Sequence, residues 1–311
     1  MEKHSRIFVA GVETVIGAGI KRALKALGYD LLIEGLAGDE GVNPGRVESF
    51  FRTERPEYVF IASGMSGGIA ANLKFPAELM IDNLLRQIYL IDAAHRAGVR
   101  KLLYLASSCC YPRMCMQPMK EEAILTGPLE PTNEPYALAK IAGIKMIESY
   151  RREYGDNFIC GIPGNCFGPG DDFSPEDSHV IGALICRFHE AKIQGLGEVE
   201  IWGSGEPRRE FIYSDDLGDA CVFVMNHYEG LSPVNLGSGQ DISIRDLALL
   251  IREIVAYEGS LRFDPSKPDG MPVKLLDSGK LFSLGWRSRV DFRYALQKTY
   301  DWFRQSQVVN R

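Results

Sequence analysis

The chain lacks several features that would have set its class at once. No apolar run in its 311 residues approaches the roughly 18 residues of a transmembrane helix, so no membrane partner is expected. The opening MEKHSRIFVAG has no signal-peptide core, which favours a cytoplasmic location. Basic residues are not in excess, because the formal net charge is -6. A nucleic-acid partner is therefore not expected either.

Cysteine is scarce, odd in number and unevenly spread. Seven cysteines without an export signal indicate reduced thiols rather than a disulfide framework. Two of them, Cys109 and Cys110, are adjacent in the stretch YLASSCCYP. A free cysteine is most often a small buried hydrophobe, so this pair calls for an explanation from the rest of the chain.

The residues that are present predict an α/β fold. Five apolar runs, each of the type buried on both faces of a parallel sheet, alternate with segments of helical apolar spacing. These runs are RIFVAGV (6–12), DLLIE (30–34), YVFIAS (58–63), KLLYLASS (101–108) and FICGIPGN (158–165). The alternation predicts a Rossmann-type doubly wound parallel sheet.

The pattern of apolar and polar residues changes after residue 165, where polar loops and shorter predicted strands follow. We predict a dinucleotide-binding domain formed by residues 1–165 and part of 210–250. A smaller C-terminal α/β domain, residues 166–209 and 251–311, would bind the substrate. The cleft between the two is the expected ligand site.

The first strand runs into a glycine turn and a helix, the geometry that places a pyrophosphate on helix N–H groups. The spacing is Gly11-x-x-Thr14-x-x-Gly17, with threonine where a glycine is usual. Glu34 stands at the end of the second strand. A carboxylate there binds ribose hydroxyls and repels a 2′-phosphate, which favours NAD(H) over NADP(H).

Tyr136 and Lys140 lie four residues apart at the start of a predicted helix, on one face. A lysine ammonium near a phenol is expected to lower the pKa of the tyrosine, which can then pass a proton to a ketone oxygen as hydride arrives at the carbon. Ser107 ends the preceding strand and completes a Ser–Tyr–Lys group.

Cys109 gains a possible role from the same strand end. If the strand stays extended, Ser107 and Cys109 face the active site and Cys110 faces the core. Hydride transfer does not need a thiol, but removal of a proton next to a carbonyl does need a base. His179, at a loop-to-helix junction of the second domain, is the candidate acid.

Together these residues make the chain resemble the GDP-L-fucose synthases of the extended short-chain dehydrogenase/reductase superfamily. The resemblance covers nearly the whole chain and is carried by MSGGIAANLKFPAELMIDN, SSCCYPRMCMQPM, LEPTNEPYALAKIAGIKMIESY, DDFSPEDSHVIGALICRFHEA, IWGSGEPRREFIY and FDPSKPDGMPVKLLD. It implies conversion of GDP-4-keto-6-deoxy-D-mannose to GDP-L-fucose, by epimerisation at C3 and C5 and then reduction of the C4 ketone. It also implies a homodimer joined through helices of the nucleotide domain.

The resemblance assigns residues to each task, with no metal among them. The catalytic set would be Ser107, Tyr136 and Lys140 for reduction, with Cys109 as base and His179 as acid for epimerisation. Thr14 and Glu34 stand where the chain departs from the family, and they are cofactor-binding candidates from their own positions. The other expected cofactor-binding residues are Gly11, Val15, Ile16, Gly17, Ala62, Leu105, Ala106, Ser107, Ser108, Tyr136, Lys140, Pro163, Asn165, Cys166 and His179. Substrate-binding residues would be Arg187, Trp202, Arg209 and Asp277. The cofactor usual in the family is NADP(H), whereas Glu34 favours NAD(H).

Three other functions remain open from the sequence. The first is the same chemistry on a related GDP-4-keto sugar, such as a dideoxy sugar or a heptose. The second is a nucleotide-sugar 4-epimerase or dehydratase that recycles its NAD, although such an enzyme does not need Cys109 and His179. The third is a non-catalytic nucleotide-sensing protein on the same fold.

Overall fold

The computed structural model describes residues 1–175, 177–267 and 269–309. The strands in these ranges are β1 (Ile7–Ala10), β2 (Leu32–Ile33), β3 (Tyr58–Ile61), β4 (Lys101–Leu105), β5 (Phe158–Pro163), β6 (Asn165–Phe167), β7 (Glu198–Trp202), β8 (Arg208–Tyr213), β9 (Val234–Leu236), β10 (Asp241–Ser243), β11 (Ser260–Asp264) and β12 (Val273–Lys274). The helices are α1 (Val15–Ala26), α2 (Pro44–Glu54), α3 (Ile69–Lys74), α4 (Pro76–Arg96), α5 (Glu134–Tyr154), α6 (Val180–Gln194), α7 (Ser214–His227), α8 (Ile244–Val255), α9 (Gly279–Ser283) and α10 (Phe292–Val309).

A parallel six-stranded sheet in the order β2-β1-β3-β4-β5-β9 forms the larger layer, which confirms the predicted Rossmann-type α/β fold. Strands β1, β3, β4 and β5 are buried throughout, as their continuous apolar runs predict. Strand order reverses between β1 and β3, and in open α/β sheets ligands bind at the carboxyl ends of the strands at such a point. Strand β2 is shorter than the predicted run 30–34 and only half-buried.

The predicted strand through residue 108 is wrong at its end. Strand β4 stops at Leu105, and Ser108–Cys110 form a turn of 3-10 helix. The Cys110 N–H donates to the Ser107 carbonyl (3.0 Å), and the Cys109 N–H donates to the Ser107 hydroxyl (3.2 Å). Because serine offers a second acceptor to the backbone, the chain turns instead of extending.

After β6, β7 and β8, which lie outside the large sheet, the chain returns to it with α7 and β9. Helix α7 packs on α1, and β9 adds to the edge of the sheet beside β5. The remaining strands form two small sheets, one of β10, β8, β12 and β6 and one of β11 with β7. Helices α6, α8 and α10 cover these strands with a separate apolar cluster. In the part of the chain that the structure describes, no helix is both long and apolar enough to cross a membrane.

Candidate active site

The glycine turn after β1 is built for close approach. Gly11 has φ +84°, and a Cβ there would lie 2.6 Å from the Ser63 backbone. A Cβ on Gly17 would lie 1.9 Å from the Gly11 carbonyl oxygen. The Thr14 hydroxyl caps α1, accepting from the Gly17 N–H at 3.0 Å and donating to the Gly11 carbonyl at 2.8 Å. The Thr14 side chain therefore links the two ends of the turn, at a position where the dinucleotide-binding fingerprint usually has glycine.

The turn fits a dinucleotide. The Ser63 hydroxyl, just after β3 and beside Gly11, is buried without a hydrogen-bond partner among the described residues. An unpaired buried hydroxyl is costly, and a bound ligand can satisfy it. Most of the predicted cofactor residues lie at this edge of the sheet, in the glycine turn or at the ends of β3, β4 and β5: Gly11, Thr14, Val15, Ile16, Gly17, Ala62, Leu105, Ala106, Ser107, Ser108, Pro163, Asn165 and Cys166.

Glu34 lies one residue beyond β2 and is exposed. Its carboxylate accepts from the Lys21 ammonium of α1 at 2.5 Å, and this hydrogen bond and charge lower the pKa of Glu34. Lys21 is thus paired with a carboxylate and does not offer a free charge to an incoming phosphate.

Tyr136 and Ser107 meet at the strand end. The two side chains are hydrogen-bonded to each other, and Cys109 acts electrostatically on the Tyr136 phenol. The Lys140 ammonium lies 5.9 Å from the centre of the Tyr136 ring and donates to the Leu105 carbonyl at 3.5 Å. The helical spacing of four residues brings the two side chains together as predicted.

The expected effect of Lys140 on the pKa of Tyr136 is wrong for this structure. Burial raises the pKa of Tyr136, and the Cys109 charge raises it further against the opposing hydrogen bond from Ser107. Burial also lowers the pKa of Lys140 to about 8, since a desolvated ammonium is disfavoured. Burial is the largest effect on the pKa of each group, so the phenol stays protonated.

Cys109 is half-buried, while Cys110 is fully buried in the core as predicted. Two donors converge on the Cys109 sulfur: the Asn133 amide nitrogen at 3.1 Å and the Lys274 ammonium at 3.5 Å. Sequence reasoning missed both residues. Asn133 stands three positions before Tyr136, so the start of α5 gave a signal, whereas nothing in the sequence links Lys274 to Cys109.

His179 is the residue before α6, and the two residues before it contact Gly68. The Gly68 N–H donates to the Asp177 carbonyl at 2.7 Å, and a Cβ on Gly68 would lie 2.6 Å from the Ser178 carbonyl oxygen. This close contact fixes residues 177 and 178 against Gly68. Desolvation, then the charge of Lys274, lowers the pKa of His179 against the opposing effect of Asp172. Lys274 therefore acts electrostatically on His179 as well as contacting Cys109.

Two of the predicted substrate residues form an open aromatic and cationic group. Trp202 ends β7 and is 49% exposed, with the Arg187 guanidinium 5.7 Å and the Lys267 ammonium 5.5 Å from its ring centre. Arg209, on β8, donates to the Asp269 carbonyl at 3.3 Å. An exposed indole flanked by cations is suited to stacking with an aromatic base.

Asp277 has different neighbours from the other predicted substrate residues. Its carboxylate accepts from the Gly279 N–H at 2.9 Å, and its backbone is held by Met119 and Asn235. The acidic residues near Arg209 are Asp269 and Glu130. The Asp269 carboxylate accepts from the Ser204 N–H at 2.7 Å. Asp269 lies in the quoted stretch FDPSKPDGMPVKLLD, which also contains Asp277, so the sequence offered both aspartates as candidates.

Residues 7–237 match the model of the NAD dependent epimerase/dehydratase family. Over its full length the chain is 50% identical to GDP-L-fucose synthase 1 of Arabidopsis thaliana, of which it covers 96%.

Solved structures give the same relationship. The chain is similar to a GDP-6-OMe-4-keto-L-xylo-heptose reductase from C. jejuni, with a TM-score of 0.92, 32% identity and coverage of 98% of this chain and 99% of the other. It is also similar to a GDP-L-fucose synthetase from Naegleria fowleri bound to NADP, with a TM-score of 0.90, 25% identity and coverage of 99% and 96%.

Proposed function

The chain belongs to the GDP-L-fucose synthase family within the NAD dependent epimerase/dehydratases, and from this premise we propose how it works. It uses a reduced nicotinamide cofactor to convert GDP-4-keto-6-deoxy-D-mannose to GDP-L-fucose. Epimerisation at C3 and C5 comes first, and reduction of the C4 ketone follows. The observation that carries the proposal is the meeting of Ser107, Tyr136 and Cys109 at one strand end, since a reductase alone has no use for the thiol.

In epimerisation, the Cys109 thiolate takes the proton from C3 or C5, and the electron pair moves onto the C4 oxygen as an enolate. Tyr136 and Ser107 donate hydrogen bonds to that oxygen and stabilise its charge. The His179 imidazolium returns a proton to the carbon from the opposite face. Its lowered pKa makes it a stronger acid once protonated.

In reduction, the nicotinamide supplies hydride to C4 when it is bound. Tyr136 gives its proton to the C4 oxygen, and Ser107 orients that oxygen. A phenol whose pKa is raised by burial keeps the proton that this step consumes. Lys140 lies behind the phenol and stabilises the phenolate that remains.

For the cofactor we propose a preference for NADH over NADPH. Glu34 places a carboxylate at the end of β2, and Lys21 is engaged by that carboxylate. A 2′-phosphate there would meet a negative charge rather than a free cation. The NADP-bound relative keeps NADPH as the competing choice.

The GDP moiety is proposed to lie between Trp202 and the two arginines, Arg187 and Arg209. One guanidinium group can bind two diphosphate oxygens at once, so a chain of net charge -6 can still hold this anion locally. The similarity to a GDP-keto-heptose reductase favours a 4-keto-heptose as the second candidate substrate.

The decisive experiment is incubation of the protein with GDP-4-keto-6-deoxy-D-mannose and either NADPH or NADH, with NMR of the product. We expect GDP-L-fucose, one equivalent of oxidised cofactor and a higher kcat/KM with NADH. A product still in the D-manno configuration would overturn the epimerase assignment. A higher kcat/KM with NADPH would overturn the cofactor assignment alone.

We also propose a homodimer formed through the nucleotide domain. Helix α4 exposes two isoleucines seven residues apart, Ile81 and Ile88, at 55% and 39%. Seven residues bring side chains back to the same helix face. An exposed apolar face of this kind is suited to a second copy of the chain. Leu73 of α3 and Leu138 of α5, on the neighbouring helices in sequence or packing, are exposed as well.

A further inference from the structure

The unexplained feature of the site is Lys274, the cation in contact with the Cys109 sulfur. A neutral thiol is a weak acceptor that does not need two N–H donors, whereas a thiolate is stabilised by them. Here the Asn133 amide nitrogen (3.1 Å) and the Lys274 ammonium (3.5 Å) both point at the sulfur. The donors come from two elements distant in sequence, the start of α5 and strand β12.

The backbone around Lys274 is fixed from both sides. The Leu275 N–H donates to the Gln117 side-chain oxygen at 2.9 Å, and the Met119 N–H donates to the Leu275 carbonyl at 2.8 Å. On the other side, the Leu276 N–H donates to the buried Glu210 carboxylate at 3.0 Å. The backbone next to Lys274 is therefore held in place on both sides, and the ammonium contacts the Cys109 sulfur from this anchored strand.

No other cation among the described residues donates to the Cys109 sulfur. The titratable groups beside it are the Tyr136 phenol of α5 and the Cys110 thiol of its own segment. Burial raises the pKa of Tyr136, and it raises the pKa of Cys110 to about 12, so both are neutral at pH 7. Among the described residues, Lys274 is thus the one cation in hydrogen-bond contact with the sulfur.

We propose that Lys274 is a positioning residue for epimerisation, whose ammonium holds Cys109 as the thiolate base. After the base takes the carbon-bound proton, the thiol is neutral and the ammonium remains. The same charge disfavours an imidazolium at His179. Lys274 would therefore favour an anionic base at Cys109 and a strong acid at His179. This inference rests on the proposed function, because it takes Cys109 to be the base.

The test uses the full chain with Lys274→Met, Lys274→Arg and the control Lys298→Met, which removes an exposed lysine of α10. The first readout needs neither substrate nor cofactor: the rate of Cys109 alkylation by iodoacetamide against pH, followed by mass spectrometry. The half-buried Cys115 is an internal reference for changes in global opening. Because the thiolate is the reactive form, we expect alkylation of Cys109 at pH 7 to be about tenfold slower in Lys274→Met. Lys274→Arg and Lys298→Met should stay within about twofold of the unsubstituted protein.

The second readout is solvent deuterium incorporation into the keto sugar. Lys274→Met should slow it about tenfold through kcat, with little change in KM. An unchanged alkylation profile would overturn the proposal, and a raised KM beside normal alkylation would reassign Lys274 to the diphosphate. If alkylation slows as expected while even the unsubstituted protein incorporates no deuterium, the role of Lys274 toward the thiol stands and the proposed epimerisation fails.

Discussion

At the scale of single residues, desolvation is the main effect on the pKa values of the site. Tyr136 and Lys140 are set close by helical spacing, and each is pushed toward its neutral form, because a charge loses hydration at this strand end. For an enzyme that reduces a ketone, this is the useful starting state. The phenol holds the proton it must give, and the lysine acquires its strongest role only when negative charge develops on the phenol.

The Lys140 pKa makes stability depend on pH. Its folded-state value of about 8 lies below the ordinary value of 10.5, so between these pH values the unfolded chain binds a proton that the folded chain has released. Stability must therefore rise with pH across that window. Relative to Lys140→Met, the unsubstituted protein should gain about 2 kcal/mol in free energy of unfolding between about pH 7.5 and 9.5, as measured by urea titration. Lys145→Met, on the exposed face of the same helix, should show no such trend; a flat difference for Lys140→Met would mean that Lys140 is not desolvated.

Cys109→Ser separates the two half-reactions. A serine hydroxyl is a far weaker base than a thiolate, so solvent deuterium at C3 and C5 should fall at least about 100-fold. Hydride transfer to a ketone that is already epimerised should keep most of its rate, as followed by cofactor absorbance. Cys115→Ser is the matched control. Deuterium incorporation that continues unchanged in Cys109→Ser would exclude Cys109 as the base.

At the scale of elements, the glycine turn shows how a departure from a fingerprint is accommodated. Thr14 stands where a glycine is usual, and it supplies the N-cap of α1 through its hydroxyl. The side chain also ties the cap to the Gly11 and Ala62 carbonyls at 2.8 and 3.2 Å. The N-terminus of α1 is therefore held by a side chain rather than left to backbone freedom.

Thr14→Ala should destabilise the protein and weaken cofactor binding together. Loss of an N-cap hydroxyl costs about 1 kcal/mol, and the turn loses its anchor to β3. We expect a lower Tm and a severalfold higher Kd for NADH, by thermal unfolding and by fluorescence titration. Thr14→Ser keeps the hydroxyl and should remain near the unsubstituted protein; an equal loss in both variants would show that the methyl group, not the hydroxyl, matters.

At the scale of the whole molecule, the site depends on segments from both parts of the chain. The loop before His179 packs on Gly68, and the 273–277 segment is held between Met119 and the carboxylate of Glu210. The proposed base, acid and positioning lysine therefore come from different segments of the chain.

The proposed dimer is tested at the same scale. Ile81→Glu combined with Ile88→Glu places two charges on the apolar face of α4, and burying them in an interface would be costly. We expect a shift from dimer to monomer in analytical ultracentrifugation with secondary structure retained. Leu249→Glu, at an equally exposed apolar position on α8, should leave the assembly unchanged. A monomeric unsubstituted protein would contradict the proposal outright.

The fold was open to prediction because its signals are local. Apolar runs of strand length, the glycine turn and the spacing of Tyr136 and Lys140 depend on neighbours within a few residues, and the parallel sheet follows from their alternation. The strand end at Ser107 was misjudged because a hydroxyl that bonds its own backbone competes with extension.

What the sequence by itself determined was the fold class, the Tyr136–Lys140 pairing and the candidate thiol, all fixed by chain-local geometry. Only the tertiary structure decided the direction in which the pKa of Tyr136 moves, the contact of Arg209 with Asp269, and the contact of Lys274 with Cys109. The physical reason is that desolvation and charge depend on everything packed around a group. Cys109 and Lys274 are 165 residues apart along the chain, and no local pattern records their meeting.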